Sequence, residues 1–188
     1  FLKPVVEILA SIRSVAIGFI GIVVVGPAIA RIFGVDNGLN ALNGSVLLAV
    51  MALPTIISVA EDSIRAVPNR YREASYALGA NRWFTLVRVV IPSSYPGIIA
   101  AIILGMGRAI GETMTVLMAC GNAPAMPSSF FDSVRPITAT IAIELGEVPF
   151  GTTHYYSLFA IGAVLFVLSF AVNMIAEAVA ARFRRFHN

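Results

Sequence analysis

Leu158–Ala181 reads LFAIGAVLFVLSFAVNMIAEAVAA, twenty-four residues with a single charge at Glu177. A helix crosses the hydrocarbon core of a bilayer in about 20 apolar residues, so this stretch is long enough to span. Val15–Phe33, Leu42–Ala60 and Tyr95–Met118 read the same way. Of the 188 residues, 58% are hydrophobic and only 12% are charged. A soluble domain carries about 45–50% apolar and 25% charged residues. The charge present here cannot cover a water-facing surface, which excludes an ordinary soluble fold. The sequence predicts an all-α, polytopic membrane protein with four spans.

Where the charges sit orients those spans. The net charge is +3, with a pI near 9.4. Basic residues gather in the stub (Lys3, Arg13), in Glu61–Pro92 (Arg65, Arg70, Arg72, Arg82, Arg88) and in the tail (Arg182, Arg184, Arg185). Gly34–Ala41 holds only Asp36, and Ala119–Ser157 holds Asp132, Glu144 and Glu147 against Arg135. Positive-inside then places both ends and residues 61–92 in the cytoplasm, and residues 119–157 outside. Four crossings return the chain to the side it began on, as those loops require. Arg135-Pro136 followed by Ile137–Glu147 reads as a helix opened by proline. At about ten residues it is too short to span, so a re-entrant or peripheral position is expected. The chain begins with Phe1 and shows no signal-peptide pattern, and so reads as part of a longer polypeptide.

Glu61–Pro92 is regular for a loop. Pro68 opens a helix on which Tyr71, Ala74, Ser75 and Leu78 share one face. Gly79 suits the left-handed position that closes it. Asn81 caps a second short helix, Arg82–Ile91, which Pro92 is expected to end. The expected product is a helical knob shaped for a groove on another protein. Glu73-Ala74-Ser75, then Gly79, then Val89-Val90-Ile91-Pro92 resembles the EAA loop of ABC importer permeases. That signature is Glu-Ala-Ala, three residues, Gly, nine residues, then Ile-x-Leu-Pro; Ser75, Val89 and Ile91 are mild departures. The resemblance implies a type I importer permease core and ATPase docking through Tyr71, Arg72, Glu73, Ala74, Ser75, Leu78, Gly79 and Pro92.

Within the third span lies Gly105-Met106-Gly107-Arg108-Ala109-Ile110-Gly111-Glu112-Thr113. Counted from Pro96, Arg108 falls roughly 18 Å along a continuous helix, near the bilayer centre. A charge there costs at least about 2.5–3.5 kcal/mol on insertion scales, so it should be paired and turned from lipid. Glu112, four residues on, would share its face. Gly107 and Gly111 would let a neighbouring helix approach closely. Two readings stand: a buried ion pair joining helices, or a transient anion site. The arginine fork suits phosphate oxygens, and Glu112 would keep them from binding too tightly to leave.

The run from Gly105 to Thr113 is similar to the signature of phosphate importer permeases of the Pst type. Leu2-Lys3-Pro4 through Glu7-Ile8-Leu9-Ala10 to Ser14-Val15, and Thr138–Ala142 with Glu144, Gly146, Glu147 and His154-Tyr155, resemble the PstC branch. Arg13 stands where that branch usually has proline. The resemblance implies one transmembrane domain over 1–188, lacking a further N-terminal span. It makes Arg108, Glu112, Thr113, Gly107 and Gly111 the expected substrate pathway. It further implies a paralogous permease partner, two ATPase subunits and an external phosphate-binding protein, with no nucleic acid involved. No Gly-x4-Gly-Lys-[Ser/Thr] loop occurs, so ATP would be hydrolysed elsewhere; neither cofactor nor metal is expected. A permease for another solute, such as molybdate or an amino acid, would share the EAA loop. A non-transporting membrane sensor or assembly subunit is the remaining alternative. The lone Cys120 reads as a small apolar residue near a helix end, and His154 as an interfacial anchor. Glu144 and Glu147 read either as contacts for an outer binding protein or as solvated charge.

Overall fold

The computed structural model describes residues 14–184, with side chains to Val179. Lys3, Arg13, the Leu2–Ala10 motif and the side chains of Arg182, Arg184 and Arg185 lie outside them. The described residues form seven helices in order: α1 (Ser14–Phe33), α2 (Ala41–Arg65), α3 (Asn69–Ala77), α4 (Arg82–Ile110), α5 (Met114–Ala119), α6 (Ile137–Glu144) and α7 (Thr153–Arg184). Among the described residues the only β pairing is an isolated bridge between Gly121 and Val134. Helices α1, α2, α4 and α7 are long and apolar enough to cross a membrane. Along α7, Leu158, Ile161, Leu165, Ser169, Val172 and Ala176 form one buried or half-buried stripe, and the residues between them are mostly exposed.

The chain divides into two compact units. One gathers the residues up to Ala52 with Arg108–Phe170. Its core is Ile17 of α1, Leu47 and Met51 of α2, and Ala119 of α5, with Val25 against them. Gly18 and Gly21 make that packing close, because a methyl at either would meet Met118 or Leu47. Asn40 caps α2 by accepting from the Asn43 backbone N–H at 2.9 Å. The Asn43 amide donates to the Gly21 carbonyl of α1 at 3.1 Å, where a π turn over Gly21–Val25 interrupts the regular ladder. The segment between α5 and α6 satisfies further orphan donors: Ala41 N–H bonds to Asp132 O at 3.0 Å and Leu42 N–H to Phe130 O at 2.9 Å.

The other unit holds Leu53–Gly107 and the chain from Ala171 onward. In it α2 runs five residues past the expected end of its span, to Arg65; Glu61 pairs with Arg65 one turn on, at 2.6 Å. Residues 61–92 are therefore largely helical rather than a loop. Helix α3 closes as expected: Gly79 has φ +82°, Ala80 N–H bonds to Ser75 O and Gly79 N–H to Tyr76 O, a Schellman motif. Asn81 caps α4 by accepting from Phe84 N–H at 2.8 Å.

Pro92 does not end the following helix, contrary to the sequence expectation. A π turn over Leu86–Val90 intervenes, with Ile91 N–H reaching back to Leu86 O. This wide turn shifts the ladder so that proline sits where no N–H is required. Ser93 Oγ donates to Val89 O at 2.7 Å and Ser94 Oγ to Ile91 O at 2.9 Å, and α4 continues through Pro96 to Ile110.

Candidate functional site

Helix α4 stops at Ile110, and α5 starts at Met114. The expected continuous helix over Tyr95–Met118 is thus broken at Gly111–Thr113, which changes how the two charged residues are related. Arg108 lies in the last turn of α4, where the helix dipole favours a cation, rather than within an unbroken helix. Spacing on one helical face no longer relates it to Glu112, which sits in the break. The cause is local. Gly111 and the β-branched Thr113 are poor helix formers, and the Glu112 side chain offers the next helix a competing acceptor.

That carboxylate turns toward α5. Thr115 N–H and Thr115 Oγ1 both lie 3.4 Å from Glu112 Oε1. Thr115 is fully buried, and its hydroxyl also lies 3.0 Å from Ser14 O and 3.1 Å from Met51 Sδ. The Glu112 carbonyl accepts from Thr138 Oγ1 at 2.9 Å, so α6 reaches back to the break. Glu112, Val116, Cys120 and Thr138 line a largely apolar cavity of about 320 Å³ with Gly44 and Leu168. A methyl on Gly44 would strike the Cys120 thiol, so Cys120 is the buried residue at a helix end that its sequence context suggested.

Of the two pathway glycines, only Gly107 serves close approach: a methyl there would meet Asn173 of α7. Gly111 faces no neighbouring helix among the described residues; its place is in the break. Thr113 is the N-cap of α5 without a side-chain cap bond. Arg108 is exposed on the surface of this chain.

Glu112 therefore acts first as an acceptor for the start of α5. Glu112→Gln keeps an oxygen for Thr115 and should leave the unfolding midpoint in detergent close to wild type. Glu112→Ala should cost about 1 kcal/mol, the size of a lost cap. Equal destabilisation by both would mean that charge, not the acceptor, matters there.

Tyr71, Ala74, Ser75, Leu78 and Gly79 line one hollow of about 560 Å³ with Phe84 and Val89. Ser75 Oγ and Thr85 Oγ1, both buried, lie 2.9 Å apart and fasten α3 to the first turn of α4. Leu78 is 89% exposed and Trp83 73% exposed, an apolar tip unsuited to water. Glu73 is exposed. Arg72 points elsewhere: its Nη2 donates to Ile64 O in the last turn of α2 at 3.1 Å, a cation satisfying a helix C-terminus. Pro92 is exposed within α4.

The segment from α5 to the start of α7 carries a cluster that sequence reasoning missed. Glu144 receives Arg135 Nη1 at 2.8 Å on one oxygen and lies 2.8 Å from His154 Nε2 on the other. Arg135 Nε also donates to Asn122 O at 3.0 Å. His154 belongs to the first turn of α7 rather than to a loop, and α6 ends at Glu144, not Glu147. Leu145 N–H closes the last turn of α6 on Ile141 O; Gly146 follows, and Glu147 N–H turns back to Glu144 O.

The family described as "Binding-protein-dependent transport system inner membrane component" matches residues 1–185. Similar proteins include a probable ABC transporter permease, YqgH, of Bacillus subtilis, 39% identical over 96% of this chain and 59% of that protein. The phosphate transport system permease PstC of Mesorhizobium japonicum is 35% identical over 94% of this chain and 60% of its own length. PstC 1 of Mycobacterium tuberculosis is 34% identical over 96% and 60%. The chain thus spans about three-fifths of the length of these relatives. An inward-facing structure of the MetNI methionine ABC transporter superposes with a TM-score of 0.64 at 22% identity, over 94% of this chain and 73% of that one. This similarity establishes the fold.

Proposed function

This chain belongs to the family of binding-protein-dependent transport system inner membrane components, and from that premise we propose that it is a permease subunit of an ATP-driven phosphate importer. The observation that carries this reading is the interrupted third span. Main chain outside a helical ladder is tolerated at membrane depth only where it is buried in protein or lines an aqueous path. Here the interruption begins three residues after a cation, Arg108, in the last turn of α4. A planar fork in such a position engages phosphate oxygens in pairs. Similarity to PstC proteins supports the same substrate.

Arg108, Glu112, Thr113, Gly107 and Gly111 form this subunit's share of the path, a related permease supplying the rest. Both ends of the chain and residues 61–92 face the cytoplasm, and residues 119–157 face outward. ATPase subunits dock on the α3 knob around Glu73, Leu78 and Gly79, whose exposed apolar tip supports a protein partner. An external phosphate-binding protein delivers the ion, and ATP-driven alternation of access moves it inward.

Reconstitution into vesicles with a paralogous permease, ATPase subunits and a phosphate-binding protein tests this reading. Labelled phosphate should enter only with ATP, and unlabelled phosphate should compete where molybdate does not. Molybdate competition would transfer the assignment to another oxyanion, and ATP hydrolysis without flux would favour a sensor.

A further inference from the structure

We infer that Thr138, on helix α6, is a positioning residue that holds the interruption between α4 and α5 against closure into a continuous helix. The inference rests on the proposed transport path, because positioning has meaning only if the break serves passage. Its basis is the bond from Thr138 Oγ1 to the Glu112 carbonyl at 2.9 Å. That carbonyl lies between the two helices and belongs to neither ladder. Thr138 is only 8% exposed, so water is a poor substitute for its hydroxyl. A half-buried carbonyl that loses its donor gives up that bond's stabilisation. Losing Thr138 therefore favours any rearrangement that returns Glu112 to a helix, and the continuous helix that the sequence suggests is such a rearrangement.

Helix α6 is itself held at both ends. Pro136 precedes its first turn, and Thr138 fixes that turn to the break. At the other end Glu144 is tied to Arg135 and to His154 of α7. Thr140 Oγ1 donates within α6 to Pro136 O at 3.1 Å and is not available to replace Thr138. The helix is thus a strut between the break and the outer end of α7, and Thr138 is its contact with the path. The residue acts through Glu112, not on the ion.

The test compares Thr138→Val, which keeps the shape and removes the donor, with Thr138→Ser, which keeps the donor. In the reconstituted importer, Thr138→Val should lower phosphate turnover per assembled complex roughly ten-fold, the effect of one lost buried hydrogen bond. ATP consumed per phosphate moved should rise, and Thr138→Ser should restore both. A purely structural anchor would lower the amount of assembled protein and leave turnover and ATP per phosphate alone. That result would overturn the inference. A second readout needs no phosphate: Gly111→Cys in a Cys120→Ala background, labelled with a membrane-impermeant maleimide. Thr138→Val should change the labelling rate at position 111 several-fold, and Thr138→Ser should not; equal rates would also refute the positioning role. Failure of the wild type to move phosphate would remove the proposed function while leaving this second comparison intact.

Discussion

Replacing Arg108 by glutamine should abolish ATP-dependent phosphate uptake while leaving the chain inserted and assembled. Arg108 stands in the last turn of α4, immediately before the interruption. Glutamine keeps the length and some hydrogen-bonding capacity but removes the charge and the paired donors. Each hydrogen bond to a charged group contributes about 1.5–3 kcal/mol, and two parallel ones define the fork. Losing both corresponds to a fall of roughly two to four orders of magnitude in uptake. Arg108→Lys should recover only part of it, because a point charge lacks the planar geometry. Membrane abundance and co-purification with the other subunits should be unchanged. Uptake at wild-type rates by a normally expressed Arg108→Gln protein would leave Arg108 a structural residue and remove the anion contact.

The sequence made the spans legible because bilayer thickness imposes a length that composition alone satisfies. All four expected segments overlap long apolar helices, and their ends shift for identifiable reasons. Helix α2 continues to Arg65 because Glu61 and Arg65 complete a further turn, where charge alone suggested a loop. The turn chemistry at Gly79 and Asn81 was equally readable, since left-handed backbone and side-chain capping each select few residue types. What misled was proline. Pro92 looked like a stop because the expectation assumed an α ladder, and a π turn over Leu86–Val90 removes the N–H requirement. Nothing in the apolar run Leu86-Val87-Arg88-Val89-Val90 announces that turn.

The break at Gly111–Thr113 was hidden for the opposite reason. Its residues are only mildly unfavourable to helix, so tertiary partners decide the outcome: Thr115 on one side and Thr138, 26 positions away in sequence, on the other. The chemistry of Arg108 and Glu112 was visible, but their relation was not, because spacing gives a shared face only while the helix lasts. The Arg135–Glu144–His154 cluster escaped similarly. Each residue was singled out alone, and the turns that bring them together are set by the packing of residues 119–157 rather than by a repeat.

The largest expected loss of stability comes from Gly38→Ala. Gly38 is buried in the connection from α1 to α2, and its α-carbon faces the backbone of α1 at Gly26. A methyl there would fall inside van der Waals contact of the Gly26 carbonyl oxygen, its carbon and its α-carbon. Side chains relieve such collisions by rotating, but a helix backbone has no comparable freedom. Overpacking costs about 1–3 kcal/mol where side chains yield, so a main-chain obstacle should cost about 3 kcal/mol or more. The displacement would also pull on Asn40 and Asn43, which cap α2 and bond the Gly21 carbonyl. Two other glycines separate space from backbone conformation. Gly34 has open space around it but φ +65°, so Gly34→Ala should cost about 1 kcal/mol through left-handed strain. Gly146 has neither constraint, and Gly146→Ala should be neutral within about 0.5 kcal/mol. Thermal unfolding of the three variants in detergent should rank them in that order. If Gly38→Ala melted with Gly146→Ala, the backbone crossing at Gly26 would not be what fixes the start of α2.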